Sequence, residues 1–146
     1  MRASLALVPT LVSAMFVAAC STTPVPAGHA NPVPPDRLSA SASAIPEAHG
    51  TIIVTRDSGA FGGACYLGFA IDRTFLARFD TGETATFRVS PGEHLVQVMR
   101  DPEAKGLCAA TDLGATRETS IKANETKHFR LLIDRTGFVD VQRTDP

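Results

Sequence analysis

The sequence predicts an all-β protein, a small antiparallel β-sandwich of about seven or eight strands that begins near residue 51. Three observations support this fold class. Apolar and polar residues alternate from Thr51 onward, turn residues separate the alternating runs, and seven of the eight phenylalanines lie beyond residue 60. Short alternating runs at regular spacing are typical of a sandwich, and phenylalanine is enriched in strands. A chain of 146 residues accommodates one such domain.

Eight runs of sequence are the predicted strands. Most of them place apolar residues on one face and polar residues on the other, as expected for strands that line a core. In chain order they cover residues 51–56, 65–71, 75–79, 84–90, 94–99, 117–122, 129–133 and 139–141. A short helical turn is predicted at Asp101-Pro102-Glu103, because an N-cap residue precedes a proline and an acid there, and Gly106 ends it.

The first nineteen residues have the pattern of an export signal. Met1 and Arg2 provide positive charge, and residues 3–16 are mostly apolar. A helix of about 14 residues is about 21 Å long, which is too short to cross the ~30 Å hydrocarbon core of a bilayer. We therefore expect a cleaved signal peptide rather than a transmembrane anchor.

The signal ends in Val17-Ala18-Ala19-Cys20, which resembles the lipobox of bacterial lipoproteins. The resemblance implies that residues 1–19 are removed and that Cys20 becomes an acylated N-terminus carrying a diacylglycerol. Two or three acyl chains anchor a protein stably in a lipid bilayer, whereas one chain binds only marginally. The next residue is Ser21 and not aspartate, which implies sorting to the outer membrane rather than the inner one. An ordinary secretory signal with an incidental cysteine is the alternative.

Residues 20–50 are predicted to be the lipidated cysteine and a disordered tether. Six of the ten prolines lie in residues 21–50, among Ser, Thr and Ala, which is a composition typical of linkers. Extended as polyproline II, these thirty residues would reach about 90 Å. A short helix over Leu38 to Ala48 is the alternative. The predicted organisation is a signal peptide at 1–19, the anchor and linker at 20–50, and the sandwich at 51–146.

Cys65 and Cys108 remain once Cys20 is assigned to the lipid. An even number of cysteines in an exported protein predicts a disulfide bond. It would close a loop of about 44 residues and stabilise the fold by about 4 kcal/mol in the chain-entropy model. A reduced pair or a metal site is the alternative, but zinc needs four ligands at close spacing, and His94 and His128 stand isolated in strands.

The composition and the motifs disfavour several function classes. A formal net charge of −1 excludes the broad basic surface that nucleic-acid binding requires. The glycine-rich segment from Ser58 to Ala64 lacks the Gly-Lys-Ser/Thr ending of a phosphate loop and favours a hairpin loop or a bulge. His94 follows Pro-Gly-Glu at the start of a strand, where a structural imidazole is expected. No catalytic activity and no cofactor are therefore expected.

The stretch from Phe79 to Val98 resembles the PEGA-type β-domain of bacterial surface proteins and related short lipoproteins of unknown function. Ala70-Ile71-Asp72 and Thr126-Lys127-His128-Phe129-Arg130 resemble two further elements of these families, although Arg73 stands where the families have glycine. The resemblance covers about residues 52–134. It implies a non-catalytic, prealbumin-like sandwich and supplies no catalytic residues.

These observations predict an outer-membrane lipoprotein that faces the periplasm and is bound to the lipid bilayer through acylated Cys20. Its sandwich would be a binding or structural module with an envelope protein or a glycan as partner, and exposed sheet edges would accept an added strand. A hydrolase acting on an envelope polymer is the first alternative, and needs a pocket that gathers His94 or His128 with two carboxylates. An inhibitor or assembly factor that binds a protein partner is the second.

Overall fold

The computed structural model describes residues 22–59, 62–110, 114–134 and 136–144. Two sheets pack face to face, which confirms the predicted all-β sandwich, and each of the eight predicted strands is present. The strands are β1 (Asn31–Pro32), β2 (Gly50–Arg56), β3 (Leu67–Ile71), β4 (Thr74–Phe79), β5 (Glu83–Val89), β6 (Gly92–Arg100), β7 (Gly114–Ile121), β8 (Thr126–Ile133) and β9 (Val139–Thr144). Short 3-10 turns lie at Ala27–His29, Pro35–Arg37, Ala40–Ser43 and Gly106–Cys108.

The strands have the order β1-β5-β2-β8-β9 in one sheet and β4-β3-β6-β7 in the other. Neighbouring strands are antiparallel in both sheets, with two exceptions: β2 pairs in parallel with β8, and β1 pairs in parallel with β5. The chain passes between the sheets after β2, β4, β5 and β7. These crossings tie the two layers together at both ends of the strands.

The two ends of the sandwich carry different parts of the chain. The connections that follow β2, β4, β6 and β8 lie at one end, together with Thr22, and we call this the proximal end. The connections that follow β3, β5 and β7 lie at the other end, together with the start of β2, and we call this the distal end. The candidate sites described below belong to one end or the other.

The hydrophobic core lies between the two sheets. Phe69 of β3 stacks on Phe87 of β5 across the layers with ring centroids 5.5 Å apart, and it meets Phe79 edge to face at 6.1 Å. Such aromatic pairs contribute about 1 kcal/mol beyond the burial of their surface. Alternate residues of the other strands complete the core, among them Ile52, Val54, Val96, Val98, Leu131 and Val141, all at most 1% exposed. The period-two pattern of the sequence thus corresponds to the buried face in strands such as β5 and β8, whereas β3 is buried at all of its positions.

Residues 22–49 pack on the sandwich, and here the structure differs from the predicted disordered tether. The side chain of Val33 is 5% exposed and belongs to the core, and the backbone of Leu38 forms a bridge with Ala77 of β4. Together with the pairing of β1 and β5, these contacts cover the open side between β4 and β5. Proline-rich composition indicates a linker, but the few apolar side chains in this segment fill a gap that the eight core strands leave open.

The opposite side of the sandwich is bridged by an arginine. Arg117 of β7 donates from Nε to the carbonyl oxygen of Val141 (3.2 Å) and from Nη2 to both carboxylate oxygens of Asp140 (3.1 Å each), both residues of β9. Edge strands β7 and β9 are thereby linked across the layers. Both sides of the sandwich are therefore partly covered. Less of each sheet edge is free to pair with a strand from a partner than the sequence analysis predicts.

The connection between β6 and β7 differs locally from its prediction. Asp101 accepts the N–H of Glu103 at its carboxylate (2.9 Å) and the N–H of Ala104 at its carbonyl oxygen (3.1 Å), which makes a turn rather than a helix. The side chain of Asp101 thus accepts an N–H as a helix N-cap would. No helix follows at residues 102–105, so the bond closes a single turn. The 3-10 turn lies farther along, at Gly106–Cys108, where Gly106 has a φ of +59°.

The packing of residues 22–49 can be tested with Val33→Asp. A carboxylate in the core has no partner there, so we expect the segment to detach and trypsin to cleave after Arg37 at least about tenfold faster than in the wild type. Arg37 is protected in the native protein because it is only 10% exposed and pairs with Glu83. Val25→Asp, at a partly exposed position of the same segment, is the control. Equal cleavage rates in all three proteins would contradict the packing.

Candidate functional site

Cys20 lies outside the described residues, and the described chain begins two positions later with Thr22. Thr22 is fixed to the proximal end by three hydrogen bonds. Its N–H donates to the carbonyl oxygen of Ile133 (3.2 Å), its hydroxyl donates to Asp57 Oδ2 (3.1 Å), and the N–H of Ile133 donates to the same hydroxyl (3.1 Å). Thr23 then exchanges two backbone hydrogen bonds with Ser58, at 2.7 and 3.0 Å. The chain is therefore held immediately after the predicted lipid attachment point.

Asp57 is the acceptor that fixes Thr22, and it is fully buried. A buried carboxylate needs a compensating charge, which Arg130 of β8 provides through Nε (2.9 Å) and Nη2. The hydrogen bond from Arg130 to Asp57 also raises the pKa of Arg130 above its usual range. This bidentate pair orients the carboxylate, and Oδ2 accepts both Nη2 of Arg130 and the hydroxyl of Thr22.

Arg56 organises the connections at the proximal end. Its side chain is 2% exposed, and its guanidinium donates to the carbonyl oxygens of Gly62 (2.8 Å), Cys65 (2.7 Å) and Phe79 (2.7 Å). Burial lowers the pKa of Arg56 to about 10, against the attraction of Asp80 and Glu83, so the group stays charged at neutral pH. The sequence places Arg56 at the end of a strand but does not predict this role. Its acceptors are all backbone carbonyl groups, which leave no pattern of side chains in the sequence.

Cys65 and Cys108 form the predicted disulfide bond, with their Cα atoms 5.6 Å apart. It joins the connection after β2 to the connection after β6, and both belong to the proximal end. The guanidinium of Arg56 holds the carbonyl oxygen of Cys65, so the covalent link and the buried cation act on the same loop. The glycine-rich segment is thus a crossing between sheets rather than a hairpin loop. Gly62 has a φ of +67°, which favours glycine, and an added Cβ atom would also lie 2.2 Å from the terminal Cδ1 of Ile133.

Three large apolar side chains are exposed at the proximal end: Leu107 is 88% exposed, Phe138 is 72% exposed and Tyr66 is 37% exposed. The guanidinium groups of Arg37 and Arg78 lie over the ring of Tyr66, 4.6 and 5.2 Å from its centroid. Cation–π contacts of this kind hold an aromatic ring in place at a partly exposed site. Leu107 lies in the 3-10 turn of the connection after β6, and Phe138 directly precedes β9.

His94 lies at the distal end, where both of its ring nitrogens are hydrogen-bonded. Nδ1 is 2.6 Å from Asp72 Oδ2, and Nε2 is 2.7 Å from the carbonyl oxygen of Ser90. Burial opposes the charged form, but the bonds to Asp72 and Ser90 outweigh it and raise the pKa of His94. Both acceptors favour a ring that carries two protons, and such a ring has no lone pair for base catalysis. The geometry supports the structural role expected from the sequence.

The same contacts hold a hairpin that lacks glycine. Asp72 and Arg73, which join β3 to β4, have φ values of +50° and +65°, a region that favours glycine. The carboxylate of Asp72 accepts the N–H of Leu95 (2.8 Å), and the N–H of Arg73 donates to Gln97 Oε1 (3.1 Å). Although burial opposes it, the hydrogen bonds from Leu95 and His94 lower the pKa of Asp72. Strand β6 thus stabilises the hairpin that the arginine disfavours.

A shallow groove of about 390 Å³ adjoins His94 at the distal end. It brings this histidine near three acidic residues, Asp72, Glu93 and Glu118. His128 lines a different groove, near Thr144. Across the described ranges, no group of three or more metal-ligating side chains is placed to hold a metal ion, and no helix is long and apolar enough to cross a membrane.

The fold and these contacts define a class, the disulfide-linked β-sandwich with an N-terminal segment bound along its surface. No protein-family model matches the chain, and no curated protein shows significant sequence similarity to it. The lipobox and the PEGA-type resemblance therefore stay predictions from the sequence.

The role of Arg56 can be tested with Arg56→Met. We expect the free energy of unfolding to fall by about 3 kcal/mol, because three carbonyl groups lose their hydrogen-bond donor. The unbranched methionine side chain still occupies most of the space of the arginine, so the loss reports mainly on the hydrogen bonds. Arg56→Lys keeps the charge without the planar fork, so an intermediate loss is expected. Urea denaturation with the disulfide intact measures both. Arg88→Met, at an exposed position of β5, is the control and should stay within about 0.5 kcal/mol of wild type.

The pair of His94 and Asp72 predicts a pH-dependent contribution to stability. The folded-state pKa of His94 is raised, so its contribution is complete below the unfolded-state value of about 6.5 and is lost as the pH rises through the folded-state value. The lowered pKa of Asp72 makes its contribution complete above about 3.9. The coupling between the two should therefore be greatest near pH 5.

A double-mutant cycle of His94→Gln and Asp72→Asn measures this coupling. We expect about 1 kcal/mol at pH 5, a modest value because Asp72 is half exposed to solvent, and a smaller value at pH 9. Urea denaturation at both pH values provides the four free energies for each cycle. A coupling energy that does not change with pH would contradict the charged pair.

Proposed function

We propose that this protein is a lipoprotein of the bacterial cell envelope whose sandwich is a non-catalytic binding or structural module. The observation that carries the proposal is Val17-Ala18-Ala19-Cys20 at the end of an apolar export signal. Acylated Cys20 would bind the lipid bilayer, and Ser21 favours the outer membrane. The partner would be an envelope protein or a glycan.

The disulfide between Cys65 and Cys108 supports the exported location. Disulfide bonds persist in oxidising compartments such as the periplasm and are rare where thiols are kept reduced. Both cysteines are only partly exposed, and the loop that they close includes the strands from β3 to β6. A covalent link across so much of the domain suits a small protein that works outside the cytoplasm.

The alternative function, a hydrolase, would place its active site in the distal groove. Asp72, Glu93 and Glu118 lie near His94 there. A general base needs a ring nitrogen with a free lone pair within reach of the substrate. Nε2 of His94 is instead bonded to the backbone carbonyl of Ser90, and Nδ1 is bonded to Asp72. This arrangement favours the non-catalytic module. Release of soluble fragments from purified envelope polymers, lost in His94→Gln, would favour the hydrolase.

The anchor is tested by expressing the full chain in a diderm bacterium and comparing it with Cys20→Ser. We expect the wild type in the outer-membrane fraction, with a mass that shows removal of residues 1–19 and addition of acyl chains. The serine variant cannot form the thioether and should lack the lipid and fractionate away from the outer membrane.

Two control variants sharpen this experiment. Ser21→Ala should leave lipidation and location unchanged, whereas Ser21→Asp should shift the protein to the inner membrane if the resemblance to lipoprotein sorting holds. Intact mass spectrometry of each purified protein reports acylation independently of fractionation. A wild-type protein without lipid would refute the proposal.

A further inference from the structure

The predicted lipid attachment and the first fixed residue are very close along the chain. Only Ser21 separates Cys20 from Thr22. Two residues of extended chain span about 7 Å at most. Thr22 is held at the proximal end by Asp57 and Ile133, so a lipid on Cys20 leaves almost no slack between this end of the sandwich and a bilayer.

Two strongly exposed apolar side chains stand at the same end of the molecule. Leu107 is 88% exposed in the connection after β6, and Phe138 is 72% exposed in the connection after β8. Single exposed apolar residues are ordinary on protein surfaces. These two belong to separate connections and share the end that Thr22 occupies. An exposed leucine or phenylalanine side chain gains by burying its apolar surface at the boundary between the lipid headgroups and the acyl chains.

Both side chains are presented on connections that are fixed to the sandwich. Leu107 precedes Cys108, whose disulfide partner Cys65 is held by Arg56. Phe138 lies in a closed turn, because its N–H donates to the carboxylate of Asp134 (3.0 Å) and its carbonyl oxygen accepts the N–H of Asp134 (2.9 Å). Their positions relative to Thr22 are therefore set by the fold.

We propose that the proximal end of the sandwich rests on the bilayer surface, with Leu107 and Phe138 inserted at the level of the lipid headgroups. This inference rests on the proposed acylation of Cys20. The short link to Thr22 places the proximal end at the membrane, and the two apolar side chains fix its orientation. The distal end, with His94 and Asp72, then points away from the bilayer and is the part that meets other envelope components.

Single-tryptophan reporters test this orientation, because the chain contains no tryptophan. The variants are Leu107→Trp and Phe138→Trp. Ile45→Trp is the matched control, since Ile45 is 61% exposed and its neighbours Ala44 and Pro46 lie near His94 at the distal end. Each full chain, purified from membranes, is reconstituted into vesicles of phosphatidylethanolamine and phosphatidylglycerol with brominated acyl chains. Bromine quenches tryptophan emission only at short range.

We expect at least about twofold stronger quenching, and a shift of emission to shorter wavelength, for Leu107→Trp and Phe138→Trp than for Ile45→Trp. Inserting ten Gly and Ser residues between Ser21 and Thr22 in the Phe138→Trp chain should reduce quenching toward the control, because the flexible linker lets the domain leave the surface. Unchanged quenching in that chain would overturn the role of the short link.

The intact mass of each purified protein shows whether Cys20 is acylated, and this measurement separates the inference from the proposed function. Acylated protein with equal quenching at all three positions would overturn the orientation and leave the lipoprotein assignment intact. Protein that carries no acyl group would overturn both. Circular dichroism of each reporter variant confirms that the sandwich has formed before vesicles are added.

Discussion

The buried guanidinium of Arg56 is the interaction on which the proximal end depends. It donates to three backbone carbonyls, those of Gly62, Cys65 and Phe79, which belong to the crossing after β2 and to the end of β4. The carbonyl oxygen of Phe79 would otherwise be buried without a donor, at a cost of about 1 to 3 kcal/mol, and the other two bonds are partly buried. Because Arg56 lies on one sheet and Phe79 on the other, the same cation also joins the layers. The loop that Arg56 holds carries Cys65, whose disulfide to Cys108 connects it to the connection that carries Leu107.

Residues 22–49 extend the sandwich beyond the part that alternation identifies. Val33 and Leu38 close the side between β4 and β5, and Arg117 bridges the side between β7 and β9. Unprotected edges invite pairing with other chains, so this lateral closure disfavours edge-to-edge association of the domain. The two ends of the sandwich are covered by connections instead of by such lateral contacts.

The strands could be predicted because alternation records which face of each strand is buried, as in Ala85, Phe87 and Val89 of β5. The disulfide could be predicted because Cys65 and Cys108 remained as a pair. Contacts between distant positions had no such signal. Asp57 is 35 residues from Thr22 and 73 from Arg130, and only the parallel register of β2 and β8 brings them together. The composition of residues 21–50 predicted a disordered tether for a related reason. Most of these residues are polar or proline, but the contacts of Val33 and Leu38 with the sandwich are enough to hold the segment in place.

The attachment of Thr22 has a mechanical consequence. If Cys20 is acylated as proposed, a pull on the lipid would load the hydrogen bonds of Thr22 and Thr23 to Asp57, Ser58 and Ile133 first, because they are the first contacts along the described part of the chain. Once those break, residues 22–49 can peel from the surface and supply about 90 Å of extended chain. The strands from β3 to β6 stay enclosed by the disulfide meanwhile. Under such a load the bound segment would lengthen the link between the lipid and the sandwich before the disulfide-enclosed strands are disturbed.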